Sequence, residues 1–295
     1  MQLDNFDEGI GRIAFTSDGA SLLVADCGRR WGLRELPSVA DADGTPITVL
    51  AVAGPPVPEG EDENDGSFYE WPRGICHDAD GGLFLAASGE SLHTALHLSL
   101  PSATLLGHAG LETSYPMALA LSPDGQTLAM MDFQSGPEAQ HAVVLVQANA
   151  IENEDKEPLV CGRGSAGVRF QEPNDVAFSL DGRHLLVADR GVIWILDAAS
   201  GSLVQRIEVE GDAQGLAVDS QGQIIVVTDT RVQLFAPVPG CDLVDPYVGG
   251  LDLDKRGGKS VAVRADGLIA VATGRWYDYD TGESGKPNVY AVRVR

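Results

Sequence analysis

Glu172-Pro173-Asn174-Asp175-Val176-Ala177-Phe178-Ser179-Leu180-Asp181-Gly182-Arg183-His184-Leu185-Leu186-Val187-Ala188-Asp189 reads as two short apolar strands joined through Asp-Gly, the second strand ending on an aspartate. Asp-Gly between apolar runs signals a hairpin, because a two-residue turn of the primed type needs positive φ and glycine adopts it without steric cost. The first expectation is therefore a two-residue turn at Asp181-Gly182.

The unit recurs along the chain. Six apolar quartets align without gaps: Ile13-Ala14-Phe15-Thr16, Ile75-Cys76-His77-Asp78, Leu119-Ala120-Leu121-Ser122, Val176-Ala177-Phe178-Ser179, Leu216-Ala217-Val218-Asp219 and Val261-Ala262-Val263-Arg264. Each starts six positions before a glycine, at 19, 81, 125, 182, 222 or 267, and five of those glycines follow an aspartate. Intervals of 62, 44, 57, 40 and 45 residues between the glycines suit four-stranded blades with insertions. The second quartet residue is Ala or Cys throughout, as expected of strands crowded around an axis. Runs such as Leu22–Ala25, Leu185–Ala188 and Ile224–Val227 are apolar without alternation, the pattern of strands covered on both faces. The expected fold is all-β: a single domain over residues 1–295, forming a six-bladed β-propeller of four-stranded antiparallel blades. The sixth blade lacks a fourth strand before Arg295, so a strand near Gln2–Phe6 is expected to complete it and remove the open edge.

The 43 acidic and 20 basic residues give a formal net charge of −23, which repels phosphate backbones and anionic membranes and argues against nucleic acid as a partner. No apolar stretch is long enough to span a bilayer. Met1–Glu8 lacks the basic and apolar regions of a secretory signal, and Cys27, Cys76, Cys161 and Cys241 form no paired motif. Buried reduced thiols and a cytoplasmic location are the corresponding expectations.

The Asp-Gly turn, the apolar strand closing on Asp26, Asp132, Asp189 or Asp229, and the run Thr228-Asp229-Thr230-Arg231-Val232-Gln233-Leu234-Phe235 resemble NHL repeats. The lead-ins Gly54 to Ile75 and Gly162 to Val176 are similar to the spacers that precede such repeats. The resemblance implies a propeller acting as a recognition module. Copies two and six depart from it, with Ser88 and Gly274 in place of the terminal Asp.

Where chemistry could reside follows from this frame. The terminal aspartates are expected to accept backbone N–H bonds within their own turns. The residues that begin the innermost strands face the channel mouth, giving Arg12, Arg73, Met117, Asn174, Asp175, Gln214 and Lys259 as its candidates. Pro173-Asn174-Asp175 resembles a fragment of gluconolactonase-like hydrolases, but a hard cation needs several oxygen ligands together, and the other blades offer cations. No metal ligand, cofactor or catalytic residue is therefore assigned. Asp175 is expected to neutralise cations across the channel, and a small anion is a candidate ligand at the mouth. His77 occupies an apolar quartet slot and reads as a core residue. Gly162-Arg163-Gly164-Ser165-Ala166-Gly167 reads as a spacer, lacking the strand-to-helix context of a phosphate loop.

Propeller topology puts the long insertions 54–72, 132–141, 162–173, 249–258 and 274–287 on the face where the innermost strands begin. They carry Phe68, Tyr69, Trp71, Phe133, Arg275, Trp276, Tyr277 and Tyr279, residue types that dominate interface hot spots. The expected function is a non-catalytic scaffold that binds a protein or peptide through this face. The alternative is a metal-dependent hydrolase or lyase with its site at the channel.

Overall fold

The structure is a computed structural model. It describes residues 10–26, 32–37, 73–78, 80–88, 93–100, 104–108, 115–134, 140–148, 158–163, 167–238, 247–253, 257–274, 276–277, 284–285 and 288–293. Within these, the recurring apolar runs become antiparallel sheets of strands consecutive in the chain. The first sheet has β1 (Ile10–Phe15), β2 (Ser21–Asp26) and β3 (Gly32–Pro37). The second has β4 (Ile75–His77), β5 (Leu83–Ser88), β6 (His93–Ser99) and β7 (Thr104–His108). The third has β8 (Pro116–Leu121), β9 (Thr127–Asp132), β10 (Ala142–Gln147) and β11 (Leu159–Gly162). The fourth has β12 (Pro173–Phe178), β13 (His184–Asp189), β14 (Val192–Asp197) and β15 (Leu203–Glu208). The fifth has β16 (Ala213–Val218), β17 (Ile224–Thr228), β18 (Arg231–Phe235) and β19 (Tyr247–Asp252). In the last sheet β20 (Gly258–Val263) pairs with β21 (Leu268–Thr273), while β22 (Trp276–Tyr277) and β23 (Ser284–Gly285) form a separate ribbon before β24 (Asn288–Arg293) joins β21. The strand expected near Gln2–Phe6 lies outside the described residues.

The core lies between sheets. Alternate residues of β13 serve different neighbours: Leu185 and Val187 pack with Met131 and Val143 of the third sheet, Leu186 and Ala188 with Leu216 and Val226 of the fifth. Such a strand has no polar face, which explains its unbroken apolar sequence. Each fully buried leucine contributes about 1.5–3 kcal/mol. Analogous clusters join the remaining neighbours, and one of them places Ala262, Leu268 and Ala270 of the last sheet against Ile13, Leu22 and Val24 of the first. The first strands touch in the order β1, β4, β8, β12, β16, β20 and back to β1.

The Asp-Gly connection differs from the expected two-residue turn. Phe178 pairs with Leu185, and Gly182 N donates to Ser179 O at 2.9 Å, so the turn spans four residues and the glycine ends it at φ +69°. The reason is local. Asp181 Oδ1 accepts the Ser179 hydroxyl and Arg183 N, and Ser179 Oγ accepts His184 N, so side chains satisfy the wider loop. Thr16 with Asp18 and Ser122 with Asp124 repeat the arrangement, whereas Asp78 and Asp219 cap their own loops and Arg264 is held by both oxygens of Asp266.

The terminal aspartates also bond differently from expectation. Asp132 accepts Tyr115 N, Asp189 accepts Gln171 N and Glu172 N, and Asp229 accepts Asp212 N. The donors lie in the lead-in to the same sheet's first strand, because that strand starts beside the end of the second. These carboxylates fix how the chain enters the third, fourth and fifth sheets.

Candidate functional site at the channel mouth

Five of the six first strands begin with a register shift that builds the site. In β8, Pro116 and Ala118 pair with the consecutive residues Asp132 and Met131, leaving Met117 without a partner. The same one-residue slip leaves Asn174, Gln214 and Lys259 unpaired in β12, β16 and β20. Arg73 takes the equivalent place before β4, and β1 is irregular between Ile10 and Ile13. A bulge bends its strand and re-aims the extra side chain. Here the result is a common opening of about 330 Å³, lined by Ile10, Gly11, Arg12, Arg73, Met117, Asn174, Gln214 and Lys259.

The next residue in each strand turns away from the opening into the seam with the following sheet. Asp175, grouped with the mouth from sequence, is buried there instead and is not among the residues lining the cavity. Its Oδ2 accepts Leu216 N at 2.9 Å, from the adjacent first strand, and its Oδ1 accepts Val176 N at 3.0 Å. Ser260 has the same task in the last seam, where its Oγ accepts Ile13 N at 3.1 Å. At Gly74 and Gly215 the neighbour comes closer: an added Cβ would lie 2.8 Å from Ala118 Cα or 2.9 Å from Ser260 Cα. Sequence reading treated each dipeptide as one unit. The alternation of faces along a strand, interrupted by the bulge, is what separates its two members.

Arg12 lies across the floor of the mouth. Its guanidinium donates to the carbonyl oxygens of Asn174, Gln214 and Lys259, from three different sheets, and Nε stands 3.3 Å from Asp175 Oδ1 without hydrogen-bond alignment. Burial raises the Asp175 pKa above the ordinary 3.8, opposed by Arg12 and the two backbone donors. Asp175 therefore answers Arg12 rather than the mouth's cations in general. Among the described residues Lys259 reaches only the amide oxygen of Gln214, at 3.4 Å, and burial together with the Arg12 charge lowers its pKa. Among the described residues, Arg73 has no carboxylate partner. Asn174 donates its amide to Ala213 O at 2.9 Å.

Beyond Arg12 the channel widens to about 530 Å³ and changes character. Ala14, Cys76, Ala120, Ala177, Ala217 and Ala262, the small second residues of the quartets, all line it. His77 also lines this space and is only partly buried, so its expected place in the core is corrected: the third quartet position borders the channel. Its Nδ1 lies 3.2 Å from Gly82 O, and burial lowers its pKa. Cys161 is a buried free thiol and Cys76 a partly buried one, and burial raises both pKa values, Cys161 to about 11.

Among the described residues no group of three or more His, Cys, Asp or Glu side chains is placed to hold a metal ion. The side chains lining the mouth bring three cations, Arg12, Arg73 and Lys259, and no carboxylate, a set that does not fit one. Of the aromatic candidates on the insertions, Phe133 is half-buried and stacks on His141 with centroids 4.4 Å apart. Trp276 and Tyr277 belong to the β22–β23 ribbon, while Phe68, Tyr69, Trp71, Arg275 and Tyr279 lie outside the described residues.

The fold defined by these sheets is that of a β-propeller, and solved structures agree. Hydrazine synthase of Kuenenia stuttgartiensis matches with a TM-score of 0.63 and 17% identity over 97% of this chain and 83% of its own. The β-propeller domain of Cps50 (Swd1) from Myceliophteria thermophila matches with a TM-score of 0.58 and 13% identity over 96% of this chain and 86% of its own. No family model matches the sequence, and no curated protein does. No helix is long and apolar enough to cross a membrane among the described residues.

Proposed function

We propose that this chain is a non-catalytic propeller of the NHL-repeat type that binds a protein or peptide through its insertion-rich face, seating a carboxylate of the partner at the channel mouth. One observation carries this reading: Arg73 and Lys259 share the opening, and the acidic side chain beneath it is bound to Arg12. A carboxylate entering there gains charge-assisted hydrogen bonds and relieves the repulsion between Lys259 and Arg12. The surrounding net charge of −23 resists non-specific anion adsorption, so such binding would be local and selective.

The test is a fluorescence-anisotropy titration of a labelled glutamate-rich peptide into the protein and the Arg73→Ala/Lys259→Ala variant. Affinity should fall about tenfold or more in the variant and decline with salt in the parent, with the melting temperature nearly unchanged. Equal affinity for both proteins would overturn the reading.

A further inference from the structure

A second cavity, of about 170 Å³, lies off the axis and is lined by Gln140, His141, Arg163, Arg169 and Phe170. It forms where the β9–β10 connection meets the residues following β11. Asp132, Ala142 and Gly162 are in register across the sheet, which brings these segments to one edge. Arg163 N donates to His141 O at 3.3 Å and ties them together.

His141 is only 6% exposed. Its ring stacks on Phe133, and its Nδ1 accepts Gln134 N at 3.2 Å. An imidazole that accepts through Nδ1 carries its proton on Nε2, and among the described residues no acceptor meets that N–H. Arg163 is one of two non-glycine residues at positive φ among the described residues, at +53°, and its Nη2 lies 3.1 Å from Oδ2 of the buried Asp132. The rest of its guanidinium fork stays available. Arg169 has no carboxylate partner among the described residues, and nearby Glu172 is engaged by Arg190. Two guanidinium groups and an imidazole N–H thus meet at one small cavity in a strongly acidic protein, and the two acidic side chains nearby, Asp132 and Glu172, are each paired with an arginine.

We infer that this cavity binds one phosphoryl group, as free phosphate or as a phosphomonoester. Its size is below the roughly 300–1,000 Å³ of pockets that enclose whole ligands, so it suits a single functional group. Its donors, together with the Gln140 amide, exceed what one carboxylate accepts and match the three terminal oxygens of a phosphoryl group. The spacer around Gly162–Gly167 therefore contributes a ligand-binding residue, Arg163, without forming a phosphate loop. The site is independent of the channel mouth.

Isothermal titration of the whole chain with inorganic phosphate, phosphoserine and acetate tests this, alongside Arg169→Ala, whose exposed side chain leaves the fold intact. Saturable binding of phosphate or phosphoserine is expected, weakened about tenfold or more by Arg169→Ala and not displaced by acetate. Tighter phosphoserine binding identifies an ester-bearing partner; tighter phosphate binding identifies the free ion. Binding unchanged in Arg169→Ala, equal binding of acetate, or no saturable binding would each overturn the assignment. So would a phosphate affinity lost in Arg73→Ala/Lys259→Ala but kept in Arg169→Ala, since that result places the anion at the mouth.

Discussion

The channel mouth and the seam layer beneath it are one residue apart in each first strand, yet they obey different rules. At the mouth stand Arg73, Met117, Asn174, Gln214 and Lys259, side chains with little in common. In the seam stand Gly74, Asp175, Gly215 and Ser260, each answering to the backbone of the next first strand, by hydrogen bond or by leaving room for it. The bulge causes the difference by releasing one side chain from the ladder and returning the next to it. The released position is open to variation between blades, whereas the retained position is bound to a neighbour. Individual chemistry belongs to the first and ring integrity to the second.

The sharpest break of this contrast is Asp175→Ala. It strips a buried ion pair of one partner and leaves Leu216 N without its acceptor, so a loss of about 3–5 kcal/mol is expected from denaturant unfolding. A loss below about 1 kcal/mol, the range of an exposed ion pair, would move Asp175 from the seam to the mouth in role as well as in sequence. Gly215→Ala probes the same layer by volume. Its Cβ would meet the Ser260 and Val261 backbone, so an expected loss of about 1–3 kcal/mol outweighs the usual gain from replacing glycine. If thermal unfolding shows this variant to be as stable as the parent, the seam is looser than described.

The smallest effect concerns acid. Asp18, Asp124 and Asp181 are held below the ordinary 3.8, first by the hydroxyls of Thr16, Ser122 and Ser179 and then by backbone N–H groups. A depressed carboxylate stabilises the fold fully above its unfolded pKa, and that stability is lost as pH falls through the folded value. Asp175 runs the opposite way: its raised pKa favours the protonated form, so its contribution declines as pH rises past 3.8. Asp124→Asn should therefore flatten the acid side of a stability-versus-pH curve slightly and leave neutral stability little changed. An unaltered acid limb would detach the turn carboxylates from stability.

Much of this was legible in the chain itself. The quartets and their glycines located every first strand, and their small second residues are the ones that line the far channel. Arg73, Met117, Asn174, Gln214 and Lys259 each stand eight positions before the glycine of their copy, and Arg12 seven before Gly19, which is the regularity that groups them in the sequence. The assignment of Asp175 failed because a bulge leaves no mark in composition: Asn174-Asp175 and Lys259-Ser260 look like continuous strand. The turn was misjudged for a related reason. Ser179 and Asp181 contribute side-chain hydrogen bonds that a Gly-centred rule ignores. The pocket at His141, Arg163 and Arg169 depends on two loops meeting, and no local spacing encodes that.

Arg12 also bears on how the molecule comes apart. Its carbonyl acceptors lie 162, 202 and 247 residues further along the chain. Such contacts close only once those distant sheets have come together. Interactions made after the barrier slow unfolding without hastening folding. The expected consequence is a kinetic latch: Arg12→Ala should speed unfolding in stopped-flow denaturant jumps and leave the folding rate unchanged, and an unfolding rate equal to the parent's would refute it.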